Sequence, residues 1–202
     1  MRRPAALALA HAFAYAHAAL ALTLALMVSA TQAAPSTKFE PTLQVQGTPL
    51  LLNGAGTRYK AIFKVYDMAL YTTKKVTTPE ELLALPGPKR LQFTALRELP
   101  GTDLGLLFIK SMSENTPKDV VQKHSISTSR LIEIFSGKSK LVPGDTFAMD
   151  YLPGKGTQFY IVGKAQGDPV GDAEFFGMVL KIWVGPSPAD SNLKDALLGI
   201  ER

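Results

Sequence analysis

From Tyr59 to Tyr71 the chain runs thirteen residues without a glycine or proline, and its positions fall into two alternating sets. The odd positions read Tyr, Ala, Phe, Val, Asp, Ala, Tyr, and the even ones carry Lys60, Ile62, Lys64, Tyr66, Met68 and Leu70. A period of two with one largely apolar face predicts a long strand packed mainly on one side. Just before it, Gly54-Ala55-Gly56 reads as a flexible turn, and Arg58 follows at once. An arginine at the foot of such a strand is the first candidate for chemistry.

The rest of the chain is patterned as clearly. Leu43 and Val45, then Leu50 to Leu52, flank Gln46-Gly47-Thr48-Pro49, which reads as a hairpin turn. Thr78-Pro79-Glu80-Glu81 predicts a helix start, with Thr as cap, Pro at the first position and acids in the first turn. Pro86-Gly87-Pro88 stops that helix, and Lys89 to Glu98 alternates as a strand. A helix is expected from Gly101 to about Glu114. Asn115-Thr116-Pro117 then breaks it and starts another, kinked near Ser125 to Ser129 where helix propensity is weak. Thr146 to Leu152 and Gln158 to Val162 form a hairpin around Pro153-Gly154-Lys155-Gly156-Thr157. The Gly-Lys-Gly-Thr of that turn is no phosphate loop, because it has the wrong spacing and joins two strands. Helices at Asp172 to Trp183 and Ser191 to Leu198 complete the chain. Strands, a helical block, a hairpin and more helices predict an α+β domain with helices on one face of an antiparallel sheet.

Composition changes the picture at the N-terminus. Arg2 and Arg3, an Ala/Leu-rich run to Val28 and Thr31-Gln32-Ala33 make residues 1–33 a secretory signal peptide, cut after Ala33. A retained anchor is the alternative, but the clean apolar run from Ala18 to Ala30 is short for a span. Residues 34–41 then read as a linker and 42–202 as one domain. The whole chain carries +5; losing Arg2 and Arg3 leaves +3, since 22 basic residues fall by two against 17 acids. No Lys/Arg block remains to track a phosphate backbone, so nucleic acid is not an expected partner. An exported chain without cysteine owes nothing to disulfides, which points to a periplasm or envelope. His124 is the one histidine outside the leader and has no ligating neighbours in sequence. No metal site, cofactor or histidine-based triad is expected.

Taken together, several stretches resemble the chalcone isomerase-like proteins. They are Gly54-Ala55-Gly56-Thr57-Arg58, Phe63-Lys64-Val65-Tyr66 leading to Ala69-Leu70-Tyr71, and Gly144-Asp145 through Leu152-Pro153-Gly154-Lys155-Gly156-Thr157. Ile182-Trp183-Val184-Gly185-Pro186 and Leu193-Lys194-Asp195-Ala196-Leu197-Leu198-Gly199 add to them. The likeness is to the exported bacterial branch and runs from about Thr42 to Gly199. It implies an open-faced β-sandwich, a large antiparallel sheet backed by helices with a ligand cleft between the layers. It also implies that Arg58 matches the arginine with which plant chalcone isomerases polarise substrate and fatty-acid-binding relatives hold a carboxylate. Tyr66 falls where the plant enzymes carry a catalytic threonine, Tyr71 matches a following tyrosine, and the second catalytic tyrosine has no counterpart here. Two of three catalytic features are altered or missing, which speaks against flavonoid isomerisation.

The favoured expectation is therefore a small apolar or carboxylate ligand, fatty-acid-like, held by Arg58, Tyr66 and Tyr71. An isomerase or lyase using the same three residues is the first alternative, and an envelope partner-binding protein the second. For Arg58 the plain structural reading is an ion pair with Asp67 or Asp150; for Trp183 it is a core anchor. On one straight strand Arg58 and Tyr66 would stand about 26 Å apart. They share a site only if the chain folds back, or if the ligand is long.

Overall fold

The computed structural model describes residues 35–200; the leader expected over residues 1–33 lies outside them. Strand β1 (Thr42–Val45) turns at Gln46-Gly47, with φ +48° and +77°, into β2 (Thr48–Lys60). That is the two-residue, positive-φ turn that suits the twist of paired strands. Strands β3 (Phe63–Thr72), β4 (Lys89–Ala95), β7 (Thr146–Leu152), β8 (Gly156–Ile161) and β9 (Lys164–Ala165) extend the same antiparallel sheet. Its spatial order is β1-β2-β3-β4-β7-β8-β9, while β5 (Leu99–Pro100) and β6 (Lys140–Leu141) pair by themselves. Helices α1 (Pro79–Ala84), α2 (Gly101–Glu114), α3 (Lys118–Lys123), α4 (Ser125–Ser136), α5 (Ala173–Val184) and α6 (Ser191–Leu197) supply the second layer.

The predicted long strand is two strands. Chain direction reverses at Ala61-Ile62, with Ala61 at φ +54°, and Lys60 pairs with Phe63. The expected Gly54 to Gly56 turn is a paired stretch of β2 instead, just past a register slip at Asn53. Its glycines answer a different need. A Cβ on Gly54 would lie 2.0 Å from the Ala196 carbonyl oxygen, and one on Gly56 2.8 Å from the Ala196 Cβ. Helix α6 thus lies directly on the backbone of β2, as only missing side chains allow.

The helix signals behave as expected. Thr78 caps α1 by accepting the Glu81 N–H at 3.2 Å, and Asp172 caps α5 by accepting that of Phe175 at 3.0 Å. The predicted kink is a break at His124 between α3 and α4. The main core lies between sheet and helices and centres on aromatic rings. Phe93 stacks on Phe147 at 4.1 Å, and Trp183 meets Phe93 at 5.1 Å and Phe108 at 5.4 Å.

Residues 34–41 are no free linker where they are described. Thr37 N–H donates to Asp67 Oδ2 at 2.6 Å, the Pro41 carbonyl accepts from Leu52 N–H at 2.9 Å, and Phe39 packs beside a small core of Leu50, Ala69 and Tyr71. This strap lies on the sheet face opposite the helices.

Candidate functional site

Strand period and glycine placement together position Arg58. Gly54, Gly56 and Arg58 pair with Leu70, Met68 and Tyr66, so all three share the helix-facing side of β2. Helix α6 occupies the space above the glycines, and Arg58 is the next side chain on that face. The register slips between Arg58 and Tyr59, and the Asp190 carboxylate accepts the Tyr59 N–H at 2.9 Å. The same carboxylate caps α6 through the N–H groups of Asn192 and Leu193. One acid therefore ties the bulge beside Arg58 to the C-terminal helix.

The hairpin puts Arg58 and Tyr66 opposite each other, with the guanidinium carbon 5.5 Å from the Tyr66 ring centre. That is a cation–π approach. The straight-strand separation of 26 Å does not apply, and a compact ligand can touch both. Tyr66 is 1% exposed, and its hydroxyl oxygen accepts the Trp183 Nε1–H at 2.7 Å. Burial pushes its pKa above the ordinary tyrosine range, while the Arg58 charge and the Trp183 hydrogen bond pull it back. Trp183 is a core anchor, and it also fixes the Tyr66 hydroxyl. Residue spacing gave no sign of that bond, which spans 117 positions.

Neither expected ion pair of Arg58 forms. Asp67 faces the other side of the sheet, where it takes the Thr57 hydroxyl at 2.6 Å and the strap. Asp150 is held by Arg90 at 2.5 and 2.6 Å. The Arg58 Nε is buried and has no hydrogen-bond partner among the described residues. Tyr71 is not brought to the site. It lies five residues from Tyr66, points to the opposite face, and its hydroxyl donates to the Glu40 carbonyl at 2.9 Å.

Arg58 lines a hollow of about 280 Å³ where β2 and β3 meet the start of α2. Val65, Leu99, Leu104 and Leu107 give it an apolar wall, and Lys60, Arg97, Glu98 and Asp103 its polar rim. Glu98 is engaged by Lys140 at 2.7 Å. Chemically it is a cleft with an apolar wall, the Arg58 guanidinium at its sheet end and the Arg97 guanidinium on its rim.

A family model described as chalcone isomerase-like matches residues 31–199. Among solved structures, the crystal structure of a fatty-acid binding protein from Arabidopsis thaliana superposes with a TM-score of 0.65. The two share 15% identity over 81% of this chain and 92% of that one, a likeness of fold. No curated protein sequence matches.

Proposed function

The chain belongs to the chalcone isomerase-like family, and from that premise we propose that it is a non-catalytic module binding a carboxylate ligand with an apolar tail. The observation that carries this reading is the buried, unpartnered Nε of Arg58 at the edge of the cleft. Burying a charged donor without a partner is costly, and a ligand carboxylate would satisfy it through a charge-assisted hydrogen bond. The tail would lie along Val65, Leu99, Leu104 and Leu107. A hollow of about 280 Å³ is at the lower end for small-molecule sites, so a short or medium chain fits better than a long one. The fatty-acid binding protein of the same fold is consistent with such a ligand.

Catalysis has less support. A general base needs a pKa near the working pH and a proton within reach. Tyr66 is shifted the wrong way for a base, and Asp190 already accepts three backbone N–H groups. We place the protein outside the cytoplasm, released by cleavage after Ala33.

Native mass spectrometry of protein purified from the periplasm tests the ligand, together with calorimetric titration of octanoate. A co-purifying acyl carboxylate should be lost in Arg58→Ala, and octanoate affinity should fall about a hundredfold. An empty wild type that ignores octanoate would sink the proposal.

A further inference from the structure

The β2–β3 hairpin ends in two exposed apolar side chains, Ile62 at 84% and Phe63 at 58%. A tight reversal with Ala61 at φ +54° displays them, and no other element covers them. Leu107, also exposed, belongs to the cleft wall on the same side. Lone surface leucines or isoleucines are ordinary, but adjacent large apolar residues at a projecting tip are not.

The charges that flank the tip or touch its side chains are basic; the acids of the neighbouring cleft rim are Glu98 and Asp103. Lys60 and Lys64 flank it, and Arg97 sits over the Phe63 ring at 5.5 Å. All three are exposed, and none is in an ion pair among the described residues. Glu98, the nearest acid in sequence to Arg97, is spent on Lys140. The strap begins at the same edge, since Lys64 Nζ lies 3.4 Å from Ser36 Oγ.

We infer that the β2–β3 tip docks on an anionic lipid surface. Ile62 and Phe63 enter the interface, and Lys60, Lys64 and Arg97 lie at the level of the headgroups. Aromatic and aliphatic side chains gain by burial at the acyl boundary, and each nearby cation gains from the negative surface potential. The mouth of the Arg58 cleft shares Lys60 and Arg97 with this edge, so docking would bring the cleft opening against the membrane. The inference stands on surface residues and does not depend on the ligand reading.

Vesicle flotation with the whole protein tests it, comparing variants of identical N-terminus by intact mass. The vesicles are phosphatidylcholine with about one quarter phosphatidylglycerol, against phosphatidylcholine alone. Wild type should prefer the anionic vesicles and lose that preference at high salt. Ile62→Ser with Phe63→Ser should weaken binding more than tenfold. Lys60→Gln with Lys64→Gln and Arg97→Gln should weaken it about a hundredfold. Ile126→Ser is the control, because Ile126 is 86% exposed but lies at the far end of α4, whose other end meets Thr102 through Ser136. Circular dichroism confirms that each variant is folded. Binding that persists in both tip variants, ignores lipid charge, or falls equally in Ile126→Ser overturns the assignment. Octanoate titration of Ile62→Ser with Phe63→Ser keeps the two proposals apart, since neither residue lines the Arg58 cleft.

Discussion

Arg58 and Arg90 stand on opposite faces of one sheet, each over a tyrosine ring and each beside a hollow of similar size. Arg58 lies over Tyr66 at a hollow of about 280 Å³, and Arg90 over Tyr160 at one of about 300 Å³. The difference is the partner. Arg90 grips Asp150 through two hydrogen bonds, with the Asp150 side chain 3% exposed. Arg58 has no carboxylate, although its Nε is buried. A bidentate pair locks a guanidinium into the architecture, whereas an unpaired one keeps its donors for something that arrives later. Hollow shape alone would not separate the two faces; the state of the arginine does.

Breaking the pair on the Arg90 side should have the largest effect. Asp150→Ala leaves Arg90 half-buried and unpaired, and urea unfolding should show a loss of about 3–5 kcal/mol. A loss below ~1 kcal/mol would mean that the pair is ornamental and the comparison false.

Lys89, next to Arg90 but on the helix side, sharpens it as an intermediate case. It is buried, and its ammonium donates to the carbonyls of Leu85 and Gly87, with no ion pair among the described residues. Burial lowers its pKa from 10.5 to about 8. The folded state therefore binds this proton less tightly than the unfolded chain, so stability should rise with pH from about 8 towards 10.5. Tyr66, Tyr71 and Tyr160 act in the opposite sense, because their hydroxyls are raised by burial and unfolded tyrosines begin to ionise near pH 10. The stability difference between wild type and Lys89→Met should thus grow by about 1–2 kcal/mol between pH 8 and pH 10. A flat difference would show that the accepting carbonyls compensate the charge fully.

The smallest effect belongs to Arg58. Arg58→Met should change unfolding free energy by less than about 1 kcal/mol, in either direction, because the contact with the Tyr66 ring is lost but no ion pair is. A large loss would reveal a structural role and return Arg58 to the class of Arg90.

Much of the molecule could be read from its residues, for local reasons. Thr78-Pro79 and Asp172 announce their helices through caps and first-turn chemistry, which need no tertiary partner. The opposite faces of Tyr66 and Tyr71 were also legible, since a separation of five is odd and a strand alternates. What failed depended on distant partners. Gly54 and Gly56 looked like a chain reversal but serve a close approach by α6, about 140 residues later. The real reversal at Ala61-Ile62 carries no Gly, Asn or Pro, so the alternation runs through it unbroken. Arg58 was identifiable as charged and well placed. That it lacks a carboxylate partner among the described residues could be known only once Asp67 and Asp150 were seen engaged elsewhere.

That unmarked reversal also divides the site in time. Arg58 and Tyr66 are eight positions apart and meet through a hairpin, a contact of low loop-closure cost. The Trp183 bond that fixes Tyr66 spans 117 positions and must wait for α5 to dock. On sequence separation alone, half of the cleft is expected to form early and half late. The chain's single tryptophan sits at the late half, so its fluorescence should mark the moment at which the proposed ligand site becomes complete.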